Sequence, residues 1–317
     1  MTASPRWGVP MELGERRVLH PGRFRWLRAL GWAPALLFGM TLAFGPPIEA
    51  LGGLLPDTEA VTFLVRALGA AVALGAYALL VRAGEDRAPS ELALRPALPS
   101  LAVGLALGAL MMAVVMGLLA LSGTYEVTWL GWTSAWEAAG LAVQAGVVEE
   151  LIVRGIILRL VWRAFGPWAA FAVSAVLFGA GHLANPGATV FAALCIALEA
   201  GVMLGALYVL TGRLWTSIGV HVAWNLTQGY VFGAAVSGGD TGSSLARSVA
   251  DPDAPLWLSG GEFGPEASLA AVLVCTAVGV LALVLARRAG RFARPAPEPT
   301  DAADADAERA DSPLTTA

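Results

Sequence analysis

Long runs of apolar residues, broken by short polar stretches, dominate the chain. A hydrocarbon layer of about 30 Å is crossed by about 20 apolar residues in a helix. Eight runs meet that requirement: 27–45, 61–81, 98–121, 135–162, 167–184, 188–210, 214–236 and 267–286. Asn185-Pro186-Gly187 is a strong turn signal that separates the fifth run from the sixth. The pattern predicts an all-α, polytopic membrane bundle of about eight transmembrane helices, with no separate soluble domain.

Composition agrees. Of the 317 residues, 57% are hydrophobic and 14% charged, against roughly 25% charged in a soluble domain. The net charge of −4 misleads, because residues 295–317 hold six acids against Arg309 alone. The remainder is weakly basic, which excludes a basic face for nucleic acid. Every basic residue is Arg, a weak compositional sign of a GC-rich, bacterial-type genome. With the N-terminus placed in the cytoplasm, 18 of the 20 Arg fall on the cytoplasmic side, the positive-inside pattern, which requires an even number of spans. The expectation is a multi-pass protein of a bacterial plasma membrane with both termini cytoplasmic. It divides into an Arg-rich segment 1–26, a membrane domain 27–290 and a disordered acidic tail 291–317. The polar, Arg-rich start lacks the pattern of a cleavable signal peptide. Cys195 and Cys275 sit in apolar runs and read as small hydrophobes. The Trp residues 129, 132, 136, 162, 168 and 215 sit near span ends, as an interfacial aromatic belt does.

Ionisable groups inside spans are costly, and each is a candidate for function. They are Arg66, Glu137, Glu149, Glu150, Arg154, His182, Glu199 and His221, with Asn225 beside them. Glu150 and Arg154, at i and i+4, share a helix face and can pair. Glu149 is turned about 100° away. Two adjacent carboxylates in an apolar span do not both ionise at ordinary cost, and the unpaired one suits a general base or acid. His182 follows the small residues Gly179-Ala180-Gly181, which allow close approach of a helix or a peptide; it also suits a loop hydrogen bond. His221 and Asn225 are again i and i+4. They can donate to an oxyanion or join helices as polar glue. Glu199 can line a cavity or pair with Arg66, and Glu137 lies near the interface. At 1.5 Å per residue, Glu149 and His182 lie roughly 20–25 Å from the Arg-rich ends of their spans and His221 only about 10 Å, a mismatch in depth.

Three elements in order, Glu149-Glu150-x-x-x-Arg154, Phe178-x-x-x-His182 and His221-x-x-x-Asn225, resemble the CPBP family, also called Abi or type II CAAX prenyl endopeptidases. Its members are intramembrane proteases and bacteriocin-immunity or bacteriocin-processing proteins. The resemblance covers about residues 130–236, and Gly260–Glu266 is similar to a glycine-rich stretch of bacterial members. It implies an intramembrane endopeptidase acting on a membrane-associated or lipidated peptide or protein, with membrane lipid as its other partner. Glu149, with His182, would activate a water; Glu150 and Arg154, with Phe178 in the second motif, would position machinery or substrate; His221 and Asn225 would stabilise the oxyanion. Zinc is a possible cofactor, held by Glu149, His182 and His221, though the same residues also suit a metal-free glutamate mechanism. The rival readings are a proton-coupled transporter, with Glu149, Glu150, His182 and Glu199 as a relay, and a catalytically silent scaffold or immunity protein.

Overall fold

A computed structural model describes residues 8–292; the acidic tail from residue 293 onward lies outside the described residues. The helices run α1 (Arg25–Leu54), α2 (Glu59–Glu85), α3 (Ala97–Leu121), α4 (Trp136–Glu150), α5 (Arg159–Phe165), α6 (Pro167–Gly181), α7 (Val190–Ile196), α8 (Met203–Thr211), α9 (Leu214–Leu226), α10 (Leu256–Ser259) and α11 (Leu269–Arg288). Three π-helical stretches continue the chain without a break: Leu151–Leu158 joins α4 to α5, Ala197–Val202 joins α7 to α8, and Thr227–Val231 extends α9. The all-α expectation stands. One small addition is an antiparallel ribbon of β1 (Tyr125–Trp129) and β2 (Ala246–Ala250), with Val127 opposite Ser248.

Among the described residues, six helices are long and apolar enough to cross a membrane. Their outward side chains, such as Phe38, Leu64, Leu110 and Leu273, are exposed and apolar, which marks an integral membrane protein. The other two predicted spans, 135–162 and 214–236, are helical over 136–165 and 214–231 but are not among the six. The first carries Glu149, Glu150, Arg154 and Arg159, the second His221, Asn225 and Gln228. They are the most polar because they stand in the middle of the bundle rather than against lipid.

Close helix contact comes from glycine. On α3, a Cβ at Gly104 would fall 2.3 Å from the Thr216 carbonyl oxygen, and one at Gly108 2.3 Å from that of Val220. Only glycine lets α3 lie so close against α9, since the obstacle is backbone. On the other side, a Cβ at Gly146 of α4 would meet Val222 of α9 at 2.6 Å. The helix that carries His221 is thus clamped between α3 and α4.

The depth mismatch has a structural cause. The α8–α9 turn is covered by other segments: Val9 N–H donates to the Thr211 carbonyl, Trp215 Nε1 donates to the Ala93 carbonyl at 3.1 Å, and Arg213 donates to that of Ser90. With the N-terminal segment and the α2–α3 connection lying over this turn, α9 begins inside the bundle. His221 therefore reaches Glu149 and Glu150 after only two turns.

Candidate active site

The first motif lies where α4 passes into the first π-helical stretch. Arg154 Nη1 donates to Glu150 Oε1 at 2.7 Å, and both side chains are fully buried. The second guanidinium branch donates to the Ala200 carbonyl and, at 3.4 Å, to that of Gly201. The guanidinium also lies 4.9 Å from the centre of the Phe178 ring. The pairing expected from i,i+4 spacing is present, and π-helical geometry starting at Leu151 turns Arg154 toward the second π-helical stretch. All three such stretches border the site, as local departures from the α register often do.

Glu150 has a second partner that spacing did not reveal. His221 Nδ1 lies 3.1 Å from Glu150 Oε1. Since that carboxylate already accepts from Arg154, the imidazole must donate, which places a proton on Nδ1 and aims Nε2 elsewhere. His221 Nε2 lies 3.8 Å from Glu149 Oε2. Glu149 accepts no hydrogen bond at Oε2 from any described residue, and its side chain is 36% exposed. Of the two acids, one is locked and one is free.

His182 stands at the C-terminal end of α6. Its Nδ1 donates to the Phe178 carbonyl one turn earlier, at 2.8 Å. That carbonyl can only accept, so this ring too carries its proton on Nδ1. The partner is a carbonyl of its own helix, not a loop. The Phe178 ring meets His182 edge-on at 4.7 Å and His221 at 6.2 Å, so it spaces the two imidazoles. No hydrogen bond joins Glu149 to His182 among the described residues; the side chain beside Glu149 is His221. A cavity of about 40 Å³ adjoins His182, His221 and Asn225, enough room for a water molecule.

Two further acids face this cavity. Glu199, on the second π-helical stretch, is 2% exposed, and neither carboxylate oxygen has a hydrogen-bond partner among the described residues. Pairing with Arg66 does not occur: Glu199 lines the cavity with the two histidines, while Arg66 faces a separate cavity between α1 and α2. Glu266 was not foreseen. Its Oε1 accepts from the Ser237 N–H at 2.6 Å and from the Ser237 hydroxyl at 2.7 Å. Two glycine-rich loops meet here. Gly238 donates to the Phe263 carbonyl at 2.8 Å, and the Phe263 ring lies 6.5 Å from His182. The glycine-rich run 260–266 was the available signal. Glu137 turns its carboxylate against Gly242, where an added Cβ would fall 2.4 Å from Oε2.

Beneath the site, toward the Arg-rich end, lies a buried ion network built in part from Arg residues that the positive-inside count places on the cytoplasmic side. Arg159 donates twice to Glu85, at 2.8 and 2.7 Å. Arg87 donates to Glu85 at 2.7 Å and to Glu91 at 2.8 and 2.9 Å. The Tyr77 hydroxyl lies 2.6 Å from Glu91 Oε1 and 3.1 Å from the Gly155 carbonyl. The network ties the α2–α3 connection to the residue after Arg154.

Among the described residues, no three His, Cys, Asp or Glu side chains converge on a point where an ion would sit.

Residues 129–227 match the family model described as type II CAAX prenyl endopeptidase Rce1-like. That stretch contains Glu149, Glu150, Arg154, Phe178, His182, His221 and Asn225, and its match agrees with the CPBP family that the three motifs resemble. The family is a protease family, which supports an intramembrane protease function in general terms. No curated protein and no solved structure matches the chain.

Proposed function

We propose that this chain, with its Rce1-like domain at residues 129–227, is an intramembrane endopeptidase whose water nucleophile is activated by Glu149. One observation carries the reading. Of two adjacent acids, Glu150 is fixed by Arg154 and by His221 Nδ1, while Glu149 is left free at 3.8 Å from His221 Nε2. A carboxylate without a donor, beside an oriented imidazole, is a general base in waiting.

In the proposed step, Glu149 takes a proton from water as its oxygen bonds to the scissile carbonyl carbon. The carbonyl π electrons move to oxygen. The Asn225 amide donates to that oxyanion in any protonation state. His221 donates from Nε2 once the proton has passed to it from Glu149, and its Nδ1–H on Glu150 keeps the ring aimed. Collapse of the intermediate breaks the C–N bond, and the same proton goes to the leaving amine. His182, turned toward the cavity by the Phe178 carbonyl, holds the water from the other side. No step is routed through a metal. The substrate is a peptide or protein presented from the membrane; a lipid modification on it is compatible with a site inside a bundle.

The test is cleavage of a peptide library, prenylated members included, by protein purified in detergent. Wild type is expected to cleave, with Glu149→Gln and His182→Ala inactive though folded, and a chelator is expected to leave the rate unchanged. Chelator-sensitive cleavage would overturn the metal-free step. Undiminished cleavage by Glu149→Gln would overturn the assignment of the base.

A further inference from the structure

Arg66 has no part in that chemistry, and its position is costly. It lies two turns into α2, inside an apolar span. It makes no hydrogen bond or ion pair with any described residue, and its Nη1 is buried without a partner. The stem packs on α4, where a Cβ at Gly140 would fall 3.2 Å from Arg66 Cδ. The nearby acid of that helix, Glu137, is turned away against Gly242. A guanidinium that is always charged and unpaired at this depth calls for an anion from outside the chain.

The space for one is present. A cavity of about 530 Å³ opens between α1 and α2, with Arg66 and Gln144 in its wall and Ile48 and Val65 among its apolar sides. Two acids also line it, Asp57 in the α1–α2 connection and Glu49 near the end of α1, and both are exposed. Neither forms an ion pair with Arg66. From the connecting turn inward, the order is therefore acid, acid, then a cation about 10 Å down α2 at 1.5 Å per residue. Deeper along the same two helices the exposed side chains are apolar: Phe38, Leu42 and Leu68.

We propose that this cavity binds the zwitterionic headgroup of a membrane phospholipid, its phosphate on Arg66 and its ammonium against Glu49 and Asp57. The sequence of charges matches such a lipid read from water inward: cation, phosphate, acyl chains. A purely anionic headgroup would pair with Arg66 but meet the two acids at the mouth. A primary ammonium adds hydrogen bonds to both carboxylates.

The full chain, purified in detergent, is mixed with phosphatidylethanolamine and phosphatidylglycerol of matched acyl chains, and retained lipid is read by native mass spectrometry. Wild type is expected to retain one phosphatidylethanolamine, severalfold in preference to phosphatidylglycerol. Arg66→Gln should cut retention at least tenfold, and Arg66→Lys should restore most of it. The double variant Glu49→Gln, Asp57→Asn alters only exposed side chains; it should keep phospholipid but lose the preference. Thermal unfolding of each variant reports the fold. Equal retention by wild type and Arg66→Gln, or no preference in wild type, would overturn the proposal. Displacement by soluble phosphoethanolamine at equal concentration would overturn the lipid as the occupant.

Discussion

Glu149 and Glu150 are neighbours in sequence with opposite situations, and that contrast predicts opposite mutant behaviour. Glu149 has a partly exposed side chain with no hydrogen bond at Oε2. Glu149→Gln should leave thermal unfolding nearly unchanged while cutting cleavage by about 10²–10⁴-fold, the usual share of a general base. Arg154 is the reverse case. Its loss strands the buried Glu150 carboxylate and frees two carbonyls of the adjoining π-helical stretch. Arg154→Ala should cost about 3–5 kcal/mol, as for other broken buried pairs, measured as a lower unfolding midpoint in detergent. Lysine should rescue it poorly, because one ammonium cannot span Glu150, Ala200 and the Phe178 ring face. The i,i+4 spacing made this pair legible in the sequence. His221 Nδ1 on Glu150 was not legible, because the two residues are 71 positions apart and no local periodicity connects them.

Among the helices, the decisive contact is that of α3 with α9. Gly104 and Gly108 face backbone oxygens at distances no Cβ tolerates, whereas Gly117 on the same helix has open space around it. Gly108→Val should therefore lower the unfolding temperature and displace His221 enough to depress activity, at a cost of about 1–3 kcal/mol or more. Gly117→Val should do neither, and paired melting curves with activity assays on the two variants check this. The site helices were visible as apolar runs, but their ends were less so. Thus α1 continues through Pro46 and Pro47 to Leu54, two turns beyond the predicted span. The β1–β2 ribbon escaped notice because neither five-residue strand stands out beside the long helical runs.

Across the whole molecule, the buried network of Glu85, Arg87, Glu91 and Arg159 joins the N-terminal helices to those of the site. Glu91 lies in the α2–α3 connection. Burial alone would raise its pKa, but the hydrogen bonds and charge of Arg87, with Arg159 and the Tyr77 hydroxyl, outweigh that and hold the carboxyl below its ordinary value of 4.5. A carboxyl lowered in the folded state contributes stability that is present in full above the unfolded value and is lost as pH falls toward the folded one. The unfolding temperature should hold steady from neutrality to about pH 5 and then fall on acidification. Glu91→Gln should lower the plateau and flatten the fall, as a series of melts across pH will register.

Local periodicity and chemistry determined the apolar helices, the membrane class, the Glu150–Arg154 pair and the residues of the three motifs, because each depends on neighbours within a few turns of one helix. Tertiary structure decided what those residues do to one another. It set the proton on His221 by placing Glu150 beside it, sent Glu199 to the cavity instead of to Arg66, brought Ser237 to Glu266 from separate loops, and buried Arg159 against Glu85. The physical reason lies in how helices meet. Depth and rotation of each helix follow from glycine contacts and from segments folded over its ends, such as Val9 over the α8–α9 turn, and a one-dimensional pattern holds no record of which faces will touch.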